Sequence, residues 1–302
     1  MAIRPHQKKK NLVFLINPGA GQRAAAKVQA LAPRHFPAQR YKLSFVELND
    51  WRETYPLALQ AAKSNAWAVV AVGGDGTINQ VAAALAGTPC RLGIVAAGTG
   101  NGFGRALGIP LDAEGACRVL AAGRERRVDH VSMDKGRSFA NMLGIGWDAW
   151  IAVKANRLRW MNRFSGFLRY LAAAFLCLRR ILPQPVLLRM DGRKVQGRFM
   201  VVAVGNSPQY GFGCTIAPMA RLDDGWLDVV LVPMLAPWTF LRNAFRLFTQ
   251  KPLLGAQFFR ARKVSLHSLA GYPLAIHVDG EPGGLTPATL SVRPRALKVL
   301  AP

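Results

Sequence analysis

The segment AVVAVGGDGTINQVAAAL, Ala68 to Leu85, joins an apolar run to a helical pattern through GGDG, so that Asp75 sits among three glycines. Two more loops share this character, NPGAG at Asn17–Gly21 and GTGNG at Gly98–Gly102. A glycine-rich strand-to-helix turn presents backbone N–H groups at the positive end of a helix dipole. Glycines also let an anion approach the main chain without a Cβ in the way. One such loop is often only a tight connection. Three in succession point to a cleft for nucleotide phosphates. Beside phosphates, Asp75 has three readings: it helps hold Mg2+ on a nucleotide, it accepts a proton from an attacking hydroxyl, or it caps the following helix. The chain has no GxxxxGK[ST], no GxGxxG and no HRD or DFG set, so the usual phosphate-binding signatures do not apply.

These loops need a scaffold that brings them together. LVFLINPGAGQRAAAKVQAL, WAVVAVGGDGTINQVAAALAG and RLGIVAAGTGNGFGRALGI each read as strand, turn and helix. Units of this kind predict parallel βαβ connections, with ligands beyond the carboxyl ends of the strands. After about Val131 short apolar runs alternate with turn signals, and the DG of MDGRK marks a hairpin at Met190–Lys194. That half reads as an antiparallel, sandwich-like β domain interrupted by helical patterns at Asn156–Leu182 and Pro237–Gln250. The fold class is therefore an N-terminal α/β nucleotide-binding domain with a parallel sheet, followed by a C-terminal β-rich domain.

The chain has 302 residues and a net charge of +24, from 40 Lys and Arg against 16 Asp and Glu. That excess favours an anionic partner, whether nucleotide, acidic membrane or nucleic acid. From Val229 to Val278 there is no acid at all, against six basic residues. No RNA- or DNA-recognition motif accompanies the charge, so nucleic acid is not expected. The four cysteines form no CxxC pair, which gives no disulfide framework or zinc site. YLAAAFLCL, at Tyr170–Leu178, is too short to span a bilayer that needs ~20 residues. The expectation is a cytoplasmic protein, peripheral to the inner face of the membrane and open to homodimer formation. Within Asn156–Leu182, the residues Trp160, Phe164, Phe167, Leu171, Phe175, Leu178 and Leu182 form one apolar stripe flanked by arginines. Most of it reads as a face packed on the second domain. An exposed portion would dock reversibly on anionic lipid.

GGDGTINQV, NPGAG and GTGNGFGRALGIP together resemble the lipid kinase family that includes bacterial diacylglycerol kinases and the sphingosine kinases. The resemblance continues in order through RVDH, FANMLGIGWDA, VGNSPQYGFGCTIAPMARLDDGWLDVVLV and HVDGEP, over nearly the whole chain. It implies ATP and Mg2+ as cofactors and a lipid hydroxyl as acceptor. It implies an ATP-binding domain of residues 1–131 plus 290–302 and a lipid-substrate domain of residues 132–289. VRPRALKVLAP looks like the segment that returns to the first domain. Carried over by position, Gly73, Gly74, Asp75, Gly76 and Thr77 form the central phosphate loop. Asn17, Gly98, Thr99 and Asn101 match nucleotide-loop positions, and Glu281 matches the proposed general base. The turn ARLDDGW matches a structural Mg2+ site, using the Asp224 side chain with the backbone carbonyls of Arg221 and Trp226; hard oxygen ligands suit that ion. Asp148 is the candidate for contact with the lipid substrate.

Two positions depart from the pattern of many bacterial members. Gln22 stands where a Lys or Arg follows the first loop, and Gly102 where an Asp follows the Asn of the third. GTGNG is closer to the long-chain-base branch. The reading is a kinase that phosphorylates diacylglycerol or a related glycerolipid. A sphingoid-base kinase, an NAD kinase-like enzyme and a non-catalytic membrane-binding regulator are the alternatives.

Overall fold

A computed structural model describes residues 9–17, 19, 22–158, 160–161, 165–178 and 181–302. The chain divides into two compact units, Met1–Gly98 with Leu107–Arg127 and Ala296–Pro302, and Thr99–Ala106 with Val128–Arg295. The short segment Thr99–Ala106 clusters with the second unit because its backbone lies against residues 210–212. Phe212 N–H donates to the Gly100 carbonyl at 3.1 Å, and a Cβ on Gly211 would stand 3.3 Å from Gly100 Cα.

In the first unit the strands Lys10–Ile16, Tyr41–Glu47, Ala68–Gly73 and Arg91–Ala96 form a parallel sheet, with Lys10–Ile16 paired to both Tyr41–Glu47 and Ala68–Gly73. The last strand of the chain, Ala288–Leu300, completes this sheet through the parallel pairs Lys298↔Arg91 and Val299↔Leu92. Helices Gln22–His35, Thr54–Lys63, Asp75–Leu85 and Ala113–Ala122 provide the crossovers. Every residue of Ala68–Gly73 is buried, as expected of a parallel strand covered on both faces. Phe14, Val70, Val72, Val28, Phe36, Leu120 and Leu300 share one core. The helix Ala113–Ala122 shows why such segments stop where they do. The Asp112 side chain accepts from Gly115 N–H at 2.7 Å, and Gly123 closes the other end at φ +64.

The second unit holds an antiparallel six-stranded sheet in the order Gln257–Ala261, Leu227–Val232, Val201–Gly205, Met142–Gly146, Ala275–Val278, Glu281–Leu285. A further antiparallel layer contains Arg193–Phe199, Gln184–Met190, Lys263–Ser268 and the first residues of Ala288–Leu300. The two-residue period of a strand decides the packing. Val202, Val204, Val229 and Leu231 share a core with Val186, Leu188, Val264 and Leu266 of the other layer. Their neighbours Val201, Ala203, Val230 and Val232 join a separate core with Trp147 and Phe240. The six-stranded sheet is therefore covered on both faces. The DG hairpin forms as expected, with Asp191 and Gly192 at φ +46 and +91 between Met190 and Arg193.

One expectation fails. The helical pattern Asn156–Leu182 is not one helix: Trp147–Arg157 ends at Leu158, and a new helix runs Gly166–Cys177. Ser165 caps the second, its hydroxyl accepting from Leu168 N–H at 3.4 Å. Nor is the apolar stripe packed inward. Phe167, Leu171, Phe175, Leu178 and Leu182 are exposed, while Arg169, Ala173 and Cys177 are buried. Phe164 of the stripe and the nearby Arg159, Arg163, Arg179 and Arg180 lie outside the described residues.

His130 is 1% exposed, and among the described residues neither ring nitrogen has a hydrogen-bond partner. Burial, aided by the charge of Arg293, lowers its pKa from 6.5 to about 4. Between those values the unfolded chain takes up a proton that the folded chain refuses. Stability should therefore fall as pH drops through that window, by up to about 1.4 kcal/mol per pH unit. Urea unfolding between pH 7 and pH 5 is expected to show this slope in the wild type and a flatter one in His130→Gln.

Candidate active site

Gly74 is the N-cap of helix Asp75–Leu85, and the first bond of that helix runs from Ile78 N–H to the Gly74 carbonyl at 3.0 Å. The N–H groups of the preceding turn consequently have no partner within the helix. The neighbouring loops pack closely around this turn. Asn17 Nδ2 donates to Thr77 Oγ1 at 2.8 Å, and Asn17 Oδ1 accepts from Gly19 N–H at 2.7 Å. A Cβ on Gly73 would stand 2.6 Å from Thr77 Oγ1, and one on Gly74 would stand 3.2 Å from Gly98 Cα. A side chain at Gly73 would displace Thr77, and one at Gly74 would press on the Gly98 backbone. Gly76 differs from them: a Cβ there meets no atom within 4 Å. The first unit thus brings together Asn17, Gly73, Gly74, Asp75, Gly76, Thr77 and Gly98. Pro18, Ala20 and Gly21 of the first loop lie outside the described residues.

Thr99 and Asn101 belong to the second unit. Asn101 is buried at φ +49, and its carbonyl accepts from Arg105 N–H at 3.0 Å. A side chain at Gly102 would overlap the carbonyl oxygen of Tyr210 and crowd Asn141 Nδ2. The absence of an acid at position 102 therefore has a steric counterpart in this chain. Gln22 begins helix Gln22–His35, and its side chain lies outside the described structure.

The second unit also carries a polar cluster that the sequence did not announce. Asp148 lies in the first turn of helix Trp147–Arg157. Its Oδ2 accepts from Tyr210 Oη at 2.7 Å and lies 3.1 Å from His277 Nε2. Its Oδ1 accepts from Ala149 N–H at 2.8 Å. His277 Nδ1 accepts from Gly280 N–H at 3.4 Å, which leaves Nε2 as the nitrogen that donates to Asp148. Burial, followed by the Asp148 charge, pushes the Tyr210 phenol well above its usual pKa and keeps it a donor. Space for the cluster comes from Gly144, where a Cβ would overlap both Asp148 Oδ2 and His277 Nε2. Asp279 and Gly280, at φ +52 and +80, make the two-residue turn that delivers Glu281. Asn156 Nδ2 donates to the Gly280 carbonyl at 3.0 Å and to Glu281 Oε2 at 3.4 Å. Asp148 and Glu281 are thus linked through His277, Gly280 and Asn156. His277 lies in HVDGEP and Tyr210 in VGNSPQYGFGC, where spacing alone carries no sign that they pair.

The Asp224 turn is held differently. Asp129, fully buried, accepts from Gly225 N–H at 2.6 Å and from Arg295 N–H at 2.7 Å. Asp224 Oδ1 accepts from Trp226 N–H at 3.1 Å, and its Oδ2 is ion-paired with the Arg260 guanidinium. Among the described residues, no group of three or more His, Cys, Asp or Glu side chains gathers around a metal-sized space. The Arg260 guanidinium pairs with the one carboxylate assigned to a structural Mg2+. With Arg260 in place, both Asp224 oxygens are engaged by protein groups.

Residues 11–133 match the diacylglycerol kinase catalytic domain, and residues 141–301 match the YegS C-terminal NAD kinase beta sandwich-like domain. The chain belongs to the diacylglycerol kinase and YegS-like lipid kinase family. A protein named "Diacylglycerol kinase" from Mycobacterium tuberculosis is 28% identical, over 99% of this chain and 97% of the relative. One from Xanthomonas oryzae pv. oryzae, named "Probable lipid kinase YegS-like", is 32% identical over 74% of this chain and 75% of its own. A solved structure described as a diacylglycerol kinase of Bacillus anthracis superposes with a TM-score of 0.73, covering 98% of both chains. At 21% identity, that likeness is one of fold. Family membership supports a phosphotransferase that uses ATP and acts on lipid. In this lipid kinase family member, no helix among the described residues is long and apolar enough to cross a membrane.

Two measurements check the local geometry. Gly102→Asp should lower stability by about 1–3 kcal/mol, the usual scale of overpacking, and thermal denaturation reads this directly. Chelation by EDTA should leave the melting temperature of the wild type unchanged, because Arg260 already balances Asp224. Arg260→Met should melt lower and gain a dependence on added Mg2+.

Proposed function

We propose that the chain transfers the γ-phosphoryl group of ATP to the free hydroxyl of diacylglycerol or a related glycerolipid, giving a phosphatidic-acid-type product. Gly76 is the observation that carries the phosphate part of this reading. Neither a left-handed φ nor any neighbour within 4 Å requires glycine there, yet it stands in the first turn of the helix. Glycine in a helix interior costs about 0.5–1 kcal/mol relative to alanine, and part of that cost applies in a first turn. An anion that must lie against the backbone explains the cost.

In the proposed reaction, Mg·ATP enters as substrate and its phosphates accept hydrogen bonds from the N–H groups of Gly74–Thr77. Asn17 and Gly98 shape the surrounding loops, and Thr99 and Asn101 are assigned to the nucleotide by the family resemblance. Asp75 serves the metal-bound phosphates. Glu281 takes the proton of the lipid hydroxyl as the new O–P bond forms and the bond from the γ-phosphorus to the bridging oxygen of ADP breaks. Asn156 orients Glu281. Asp148 is already occupied by Tyr210, His277 and its own helix, so we assign it to holding the Glu281 turn. That engagement favours a neutral glycerolipid over a sphingoid amine, which would need a carboxylate of its own. The basic surface would hold the enzyme reversibly at the inner, anionic face of the membrane, from the cytoplasmic side.

Incubation with γ-labelled ATP, Mg2+ and a panel of diacylglycerol, sphingosine and NAD is expected to label the diacylglycerol product. Label in NAD alone, or in no acceptor, would overturn the assignment. Glu281→Gln should lower turnover by about 10²-fold, the lower end for loss of a general base, and Asp75→Asn by more. Gly76→Ala should raise the melting temperature while raising the KM for ATP, a split that a purely structural glycine would not give.

A further inference from the structure

Helix Pro237–Arg246 has the sequence PWTFLRNAFR, and the chain continues LFTQK. Trp238, Leu241 and Phe245 recur at spacings of three and four, which places them on one side of the helix, and Phe248 follows in the turn after it. They are 78%, 51%, 70% and 52% exposed. The opposite side carries Phe240, packed against the Trp147 ring at 5.4 Å, and the buried Asn243, which exchanges two hydrogen bonds with Leu254. The helix is therefore anchored by its other face, with its largest apolar side chains turned to solvent. Beside it, helix Gly166–Cys177 also faces outward, with Phe175 72% exposed. The two meet where the Phe167 and Phe248 rings lie 6.2 Å apart, edge to face.

Charge selects the occupant of this surface. Arg157, Arg242 and Lys251 are exposed, and no acid occurs anywhere from Val229 to Val278. A second copy of a chain carrying +24 would bring like charge to like charge. An anionic bilayer supplies both the acidic headgroups and the apolar layer that exposed Trp and Phe enter. The surface also connects inward to the carboxylate turn. Phe167 meets Phe212 at 5.9 Å, Phe212 meets Tyr170 at 5.5 Å, and a Cβ on Gly280 would stand 2.7 Å from Tyr170 Oη. From this we infer that the outward sides of helices Gly166–Cys177 and Pro237–Arg246 form one membrane-docking surface for anionic phospholipid. The aromatic chain from Phe248 to Tyr170 places the Glu281 turn next to it. This deepens the glycerolipid kinase reading and rests on it for the choice of partner.

The test is flotation with phosphatidylglycerol–phosphatidylcholine vesicles and with pure phosphatidylcholine vesicles, at low and physiological salt. The wild type should float with the anionic vesicles, more strongly at low salt. Trp238→Ser/Phe245→Ser should reduce that partition by about tenfold, in keeping with the loss of two inserted aromatic anchors. Trp51→Ser, which changes an exposed aromatic residue of the other unit, should leave it unchanged. Trp238 emission should shift to the blue on binding, read as the difference between wild type and Trp238→Phe. Equal flotation of the double variant, or equal binding to neutral vesicles, would overturn the inference. So would a wild-type dimer that the double variant dissociates, because the surface would then be a contact between copies. Phosphorylation of a short-chain, water-dispersed diacylglycerol separates the two readings. The double variant should retain it. Its absence in both proteins, with wild-type vesicle binding present and reduced in the double variant, would remove the kinase reading and leave the docking surface standing.

Discussion

A helix cannot satisfy its own first N–H groups, and the first unit is arranged around one such helix end, with Gly76 exposed in its first turn. The strand Ala68–Gly73 is buried throughout, so it fixes where helix Asp75–Leu85 begins. Gly73 and Gly74 allow Thr77 and Gly98 to close in from two sides, and Asn17 ties the first loop to Thr77. Each of these contacts is local and modest in energy. Together they keep a patch of positive backbone in place without a lysine at its centre, which makes the geometry of three loops more important than any one side chain.

The second unit solves the complementary problem of holding an acid still. The turn at Asp279–Gly280 needs two positive φ angles, which Asp-Gly supplies, and Asn156 braces the residue that follows. Behind it, Asp148 is held by a phenol, an imidazole and a backbone amide in a space left by Gly144. Such a network is rigid because every member is occupied. Removing one partner leaves a buried polar group exposed to an apolar neighbourhood, so the cluster resists piecemeal change.

Much of this architecture was legible in the residues. The strand–glycine–helix repeats gave the parallel sheet because their period and turn chemistry are local properties, and MDGRK gave its hairpin for the same reason. The helix break near Leu158 leaves no mark in the apolar spacing of Asn156–Leu182, which runs across it unbroken. Only the Ser165-Gly166 pair, an ordinary capping signal, marked the restart. The direction of the apolar stripe was not legible either. A face that packs and a face that docks share one periodicity, and only the burial of Ala173 and Cys177 on the opposite side tells them apart. The pairing of Asp224 with Arg260 joins residues far apart in the chain and leaves no trace in spacing. Motif matching therefore found the acid but not the cation that meets it.

The strand Ala288–Leu300 has a consequence for the order in which the molecule is made. Its last residues hydrogen-bond beside Arg91–Ala96, a strand that leaves the ribosome long before them. Until then the first sheet presents an open edge, and the nascent chain must keep that edge from pairing with another chain. Contacts this distant in sequence form slowly. The first domain to be synthesised is thus among the last to be sealed, and its maturation depends on residues translated after the whole β-rich half.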